Sequence, residues 1–197
     1  MKLIILMSGY TATGKTTNAD KISEYFTKEN IPHKIIRSDI IRKEIGHAKV
    51  NANYFNDNDK DSADKREIVY IEMRNRAVIE LAKGNSVILD AGHNKKHMRE
   101  RIYDLSKELK MPLVLVNTIC EDEEEIKIRL AKRNPDNPLE VASSFEVYKY
   151  SKGLSDPIKK EALMIIYDTL NNKTVSYNKN KHVKFIEKAL KFKRNLK

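Results

Sequence analysis

The most specific chemical signal is Gly9-Tyr10-Thr11-Ala12-Thr13-Gly14-Lys15-Thr16-Thr17, which directly follows the apolar run Leu3-Ile4-Ile5-Leu6-Met7. The spacing is G-x-x-x-x-G-K-[ST], that of a phosphate-binding loop. A buried strand stops, two glycines let the backbone turn its N–H groups inward, and a helix begins at Lys15. Thr11, Ala12 and Thr13 complete the turn. Those N–H groups and the helix N-terminus attract phosphate oxygens. Lys15 is expected to reach the β- and γ-phosphates, and the Thr16 hydroxyl to ligate a Mg²⁺ shared with the nucleotide. Thr17 adds a further hydroxyl. The motif therefore implies a nucleoside triphosphate partner, against the plainer reading of a Gly-rich turn between strand and helix.

Further residues have types suited to the same chemistry. Phosphoryl transfer needs a carboxylate to orient and deprotonate the acceptor hydroxyl, and cations to stabilise the transferring group. Asp39 is the candidate base, with a helix cap as its alternative. Arg42, three residues on, points to the same side and can clamp an acceptor phosphate; a surface ion pair is the plainer reading. Asp90 ends an apolar strand and either meets Mg²⁺ or holds Arg42, two roles the sequence leaves open. Arg129 and Arg133 lie one helical turn apart and can close over the transferred phosphate as a lid, or form an exposed face with Lys127 and Lys132. His93 and His97 amount to half a metal site with no third ligand nearby. Asp57, Asp59 and Asp61 fail as an EF-hand loop, because Ser62 and Ile68 occupy positions that need Gly and Glu.

These residues need elements to hold them. Ala19, Ile22 and Phe26 fall at helical spacing behind the loop, and Pro32 ends that helix. Lys34 to Arg37 read as a second strand, and Ile40 to Ile45 as a short helix stopped by Gly46. A polar insert follows over about 46–62. A long helix is expected from Ala63 to Lys83, capped by Asp64-x-x-Glu67, with Tyr70, Met73, Ala77 and Leu81 on one face. Ser86 to Leu89 form the third strand, and Met98, Ile102, Leu105 and Leu109 mark the next helix. Leu113 to Val116 with Thr118 to Cys120 form a fourth strand without polar alternation, as expected of a parallel strand covered on both faces. Acids Glu121 to Glu125 favour the dipole of the following helix. A lid spans about 129–153, Ala162 to Tyr167 form the fifth strand, Asp168 to Asn180 a loop, and 181–197 a basic final helix. The expectation is one α/β domain over 1–197, a doubly wound five-stranded parallel sheet with helices on both faces. In such sheets ligands bind outside the carboxyl ends of the strands, where the phosphate loop, Asp39, Asp90 and the paired arginines converge.

Composition sets the outer bounds. With 197 residues, 40% hydrophobic and 34% charged, the chain suits one well-buried domain. The single Cys120 sits in an apolar run, reads as a core residue and implies a reducing, cytoplasmic setting. No run approaches membrane-spanning length, so a soluble protein with no membrane partner is expected. The formal charge of +10 is concentrated at the C-terminus: from Lys179 to Lys197 eight Lys/Arg face one acid, Glu187. A basic footprint over the remaining chain is not implied.

Taken together, the phosphate loop, Asp39-x-x-Arg42, Asp90 and Arg129-x-x-x-Arg133 resemble the 5′-hydroxyl polynucleotide kinase domain and its P-loop kinase relatives, over roughly residues 1–153. The resemblance implies an adenylate-kinase-like core of strand order 2-3-1-4-5, with ATP as donor and Mg²⁺ as cofactor. It implies Asp39 as general base, Arg42 as acceptor-phosphate contact and Arg129 or Arg133 as lid arginine. Asp168-Thr169 resembles the segment near the adenine in these kinases. No phosphatase domain follows, unlike the bifunctional polynucleotide kinases.

The leading expectation is an ATP-dependent kinase acting on the 5′-hydroxyl of single-stranded RNA or DNA. Lys181, Lys184, Lys188 and Lys191 form one helical stripe that can track a phosphate backbone, or simply a solvated face. A second expectation changes the acceptor to a small hydroxylated molecule, a nucleoside or an aminoacyl-tRNA. A third is a nucleotide-binding regulatory module with slow hydrolysis.

Overall fold

The computed structural model describes residues 2–47, 59–134, 144–158 and 163–192. Apolar segments without polar alternation make the central strands, β1 (Ile4–Ser8), β3 (Ser86–Asp90) and β4 (Leu113–Ile119). β1 and β3 are buried throughout, because helices cover both faces. With β2 (His33–Arg37), β5 (Leu163–Asp168) and β6 (Lys173–Tyr177) they form one six-stranded sheet of order β2-β3-β1-β4-β5-β6. The first five strands are parallel and follow the expected order; β6 pairs antiparallel with β5.

That sixth strand corrects the loop expected over Asp168–Asn180. Lys173-Thr-Val-Ser-Tyr alternates exposed and half-buried side chains, as an edge strand solvated on one side does. The long helix also starts earlier than expected: α3 is Lys60–Ala82, with Asp59 at its N-cap accepting from the Ser62 hydroxyl (2.8 Å). Asp64 and Glu67 therefore lie inside it, and the expected insert contributes its last residues to the helix. Asp57 and the rest of 48–58 lie outside the described residues, as do Pro135, Pro138 and 193–197.

The remaining helices are α1 (Lys15–Lys28), α2 (Ser38–Glu44), α4 (Lys96–Glu108), α5 (Glu123–Ala131), α6 (Phe145–Gly153) and α7 (Lys181–Leu190). One core joins α3 and α4 to Ile4, Leu6, Leu89 and Leu115; the other joins α1 and α7 to Leu3, Ile5, Val114 and Ile165. Val183, Ile186, Ala189 and Leu190 of α7 are fully buried. Each such aliphatic side chain contributes roughly 1.5–3 kcal/mol for Val, Ile or Leu. The basic C-terminal helix is thus a core element whose lysines occupy its other side. No helix among the described residues is long and apolar enough to cross a membrane.

Candidate active site

The loop between β1 and α1 is shaped by positive φ angles at Gly9 (133°), Ala12 (62°) and Gly14 (85°). A Cβ on Gly9 would stand 2.4 Å from the Thr118 carbonyl oxygen, so this position admits no side chain. Thr13 directs its hydroxyl back to Tyr10 O (2.8 Å) and lies 2.9 Å from the Thr118 hydroxyl. Its side chain therefore fixes the loop. Gly14 caps α1 with no side chain satisfying the first-turn N–H groups, which leaves them for an anion.

Lys15 Nζ donates to Tyr10 O (2.6 Å), across the loop it belongs to. Loss of solvation pulls its pKa down to about 8, opposed by the charges of Asp90 and Asp39 and assisted by Arg133. Asp90 is 5% exposed. Burial pushes its pKa up to about 6, against the pull of Lys15, the Thr16 hydroxyl and Arg37. Asp39 adds to the upward push. The strand ends thus bring Lys15, Thr16, Asp90 and Asp39 into one electrostatic unit.

Asp39 stands in the first turn of α2 and pairs with Arg42, whose side chain is the more deeply buried partner. Arg37, which sequence reasoning passed over, faces Asp90 (Nε to Oδ2 3.5 Å) and also pairs with Asp20. Sheet register is the signal that could have found it: Arg37 and Asp90 are direct partners across β2 and β3.

Arg129 and Arg133 do not share the helix face expected of them, because α5 ends at Ala131. Arg129 is tied to Glu125 (2.8 Å), Ala12 O (3.2 Å) and the Thr169 hydroxyl (2.9 Å). Arg133 lies past the helix, within electrostatic reach of Lys15. Both, with Thr16, Thr17, Lys21 and Thr169, line a cleft of about 610 Å³ beside the loop. His97 is exposed and faces Glu67 at 4.0 Å, whereas His93 is fully buried. Among the described residues no cluster of three or more His, Cys, Asp or Glu could hold a metal. The Thr16 hydroxyl against the Asp90 carboxylate is nevertheless an all-oxygen pair suited to a hard cation that takes its other ligands from phosphate and water.

A phosphate loop between the first strand and helix of a mostly parallel sheet of this order defines the P-loop kinase type of α/β fold. The chain belongs to the AAA domain family, whose profile matches residues 4–149. A curated relative, a probable 6-phosphofructo-2-kinase of Schizosaccharomyces pombe, is 28% identical over 144 residues. That match takes in 68% of this chain and 24% of the relative's length. Among solved structures, a putative kinase from Chloroflexus aurantiacus superposes with a TM-score of 0.62 at 17% identity, covering 96% of each chain. A sugar kinase from Janibacter sp. gives 0.60 at 14% identity, covering 97% of this chain and 93% of its own. These structural likenesses establish the fold.

Proposed function

We propose that the protein is an ATP-dependent phosphotransferase that moves a γ-phosphoryl group to the hydroxyl of a small molecule. The observation that carries this reading is the gathering of Lys15, Thr16, Asp90 and Asp39 at the carboxyl ends of adjacent parallel strands. In this reading the loop N–H groups and Lys15 hold the β- and γ-phosphates, and Arg129 flanks the base side through Thr169. Thr16 and Asp90 would hold Mg²⁺, which supplies charge neutralisation on the phosphate oxygens. Asp39, aligned by Arg42, accepts the proton of the acceptor hydroxyl as its oxygen bonds to the γ-phosphorus. The bond from that phosphorus to the β-γ bridging oxygen breaks, and ADP leaves. Arg133 offsets charge on the transferring group.

A small acceptor is supported by the sequence similarity to a 6-phosphofructo-2-kinase. It is supported also by sheet order, since Asp39 follows β2 at one edge while the lysine-bearing α7 follows β6 at the other. The lysine stripe therefore does not extend the acceptor side. The 5′-hydroxyl of RNA or DNA is the second reading, carried by the part-buried Asp39–Arg42 pair, an arrangement able to place a phosphate beside the base.

Transfer from labelled ATP to a panel of hexoses, sugar phosphates, nucleosides and 5′-hydroxyl oligonucleotides tests both. Labelling of a small acceptor is expected, with loss of at least about 100-fold in Asp39→Asn and in Lys15→Ala. Labelling confined to oligonucleotides would move the assignment to the second reading. Hydrolysis without transfer, unchanged in Asp39→Asn, would overturn both.

A further inference from the structure

Arg99, in the first turn of α4, is 3% exposed, and its four terminal N–H contacts all end on backbone carbonyls. One terminal nitrogen donates to His93 O (2.9 Å) and Asn94 O (2.8 Å), in the segment after β3. The other donates to Asp156 O (3.2 Å) and Pro157 O (3.0 Å), in the segment that leaves α6 toward β5. A buried guanidinium is costly unless its donors are satisfied, and only a rigid planar fork can satisfy them on two chain segments at once. The two segments also meet directly, with Asp156 N donating to Asn94 O (2.9 Å). The Asp156 carboxylate accepts from Lys96 N (2.6 Å) at the start of α4.

The carbonyls that Arg99 holds belong to residues that hold the phosphate loop. With its amide nitrogen turned toward them, Asn94 donates to Gly9 O (3.2 Å) and Gly92 O (2.7 Å). Gly9 N in turn donates to Gly92 O (3.2 Å), and the His93 ring donates to Met7 O (2.8 Å). His93 itself has φ +42°, a conformation that persists in a non-glycine residue when its surroundings over-determine it. The chain of contacts runs without a gap from Asp156 and Pro157 through Arg99 and Asn94 to Gly9.

We propose that Arg99 is a positioning residue: a clasp through which the segment leaving α6 sets the conformation of the phosphate loop at Gly9. Its effect on ligand affinity rests on the reading of that loop as a nucleotide site; its effect on the loop itself does not. Arg99→Lys keeps the charge and removes the fork, and Asn94→Ala removes the next link. In the ligand-free protein, amide hydrogen exchange over residues 8–16 is expected to quicken in both variants, while peptides from α7 keep wild-type protection. Binding of a fluorescent ATP analogue with Mg²⁺ should weaken on the order of tenfold in each, and the double variant should lose little more than either single one.

Wild-type protection over 8–16 in Arg99→Lys would overturn the clasp, as would exchange that quickens equally everywhere. Fully additive losses in the double variant would also overturn it. If Arg99→Lys does not fold, Arg99→Gln, whose amide can reach one of the two segments but not both, carries the same test. If the wild-type protein fails to bind the analogue, the nucleotide reading falls, and exchange alone decides on Arg99.

Discussion

His93 shows how much a single position in this site depends on its surroundings. Its Nδ1 donates to Met7 O, so in the neutral ring the lone pair lies on Nε2, which has no partner among the described residues. Tyr70 packs edge-on at 5.3 Å. Burial, with the charges of Arg99 and Lys15, depresses the pKa to about 4, against backbone contacts that raise it. A histidine depressed in the folded state contributes stability above its unfolded value of about 6.5, lost as pH falls through 4. Asp90 has the opposite sign, since its raised value favours the folded state as pH drops below about 6. His93→Gln keeps a donor for Met7 O and removes the titration. The urea midpoint of wild type minus that of the variant is expected to decline between pH 6.5 and 4, with Asp90 common to both proteins. A difference flat with pH would contradict the burial account. Sequence spacing marked this histidine as half a metal site; its burial was legible only once β1, β3 and α3 had been assembled around it.

At the scale of elements, α5 and α6 are tied to the phosphate loop by a small core of their own. Tyr148 of α6 stacks on Phe145 (5.4 Å) and meets Tyr10 of the loop edge-on (6.2 Å), with Ala12, Cys120, Ile126 and Leu130 around them. Cys120 is a core residue here, as its apolar run implied. Because this cluster is separate from the two main cores, removing its largest ring should act locally. Tyr148→Ala is expected to destabilise by about 3–5 kcal/mol if lost as one unit with the protein, and by less if α5 and α6 open independently. Hydrogen exchange separates these outcomes, and faster exchange confined to 123–131 and 145–153 is the expected one. Equal acceleration in α7 would show a single cooperative unit. Helices with strong periodicity were legible along the chain, as Ala19, Ile22 and Phe26 show for α1. The β6 strand was not, because its Thr-Val-Ser core sits among Asn and Lys residues that read as loop. Its pairing with β5 is a tertiary fact.

Across the whole molecule, the order of the parallel strands and the place of the phosphate loop were legible, because uninterrupted apolar runs alternate with helical spacing. The roles of the C-terminal residues were not, since an amphipathic lysine-rich helix reads alike whether its apolar side meets this core or a partner. The structure resolves that ambiguity for Val183, Ile186 and Leu190, which lie against α1 and β5. The same packing fixes where the positive charge stands. α7 lies beside α1, and α1 supplies Lys21 and Thr17 to the wall of the 610 Å³ cleft, where Arg129, Lys132 and Arg133 complete it. The stripe of Lys181, Lys184, Lys188 and Lys191 thus rides on a helix packed against α1, which walls the cleft, while Asp39 follows β2 at the opposite edge of the sheet. A cation field beside a cleft acts on the journey of an anion before any contact forms. Association of a fluorescent ATP analogue, followed by stopped flow, is expected to slow several-fold between about 20 and 500 mM salt as the Debye length contracts. Lys184→Glu with Lys188→Glu should remove much of that dependence and leave the dissociation rate unchanged, whereas arrival rates indifferent to salt would show that the stripe exerts no such pull.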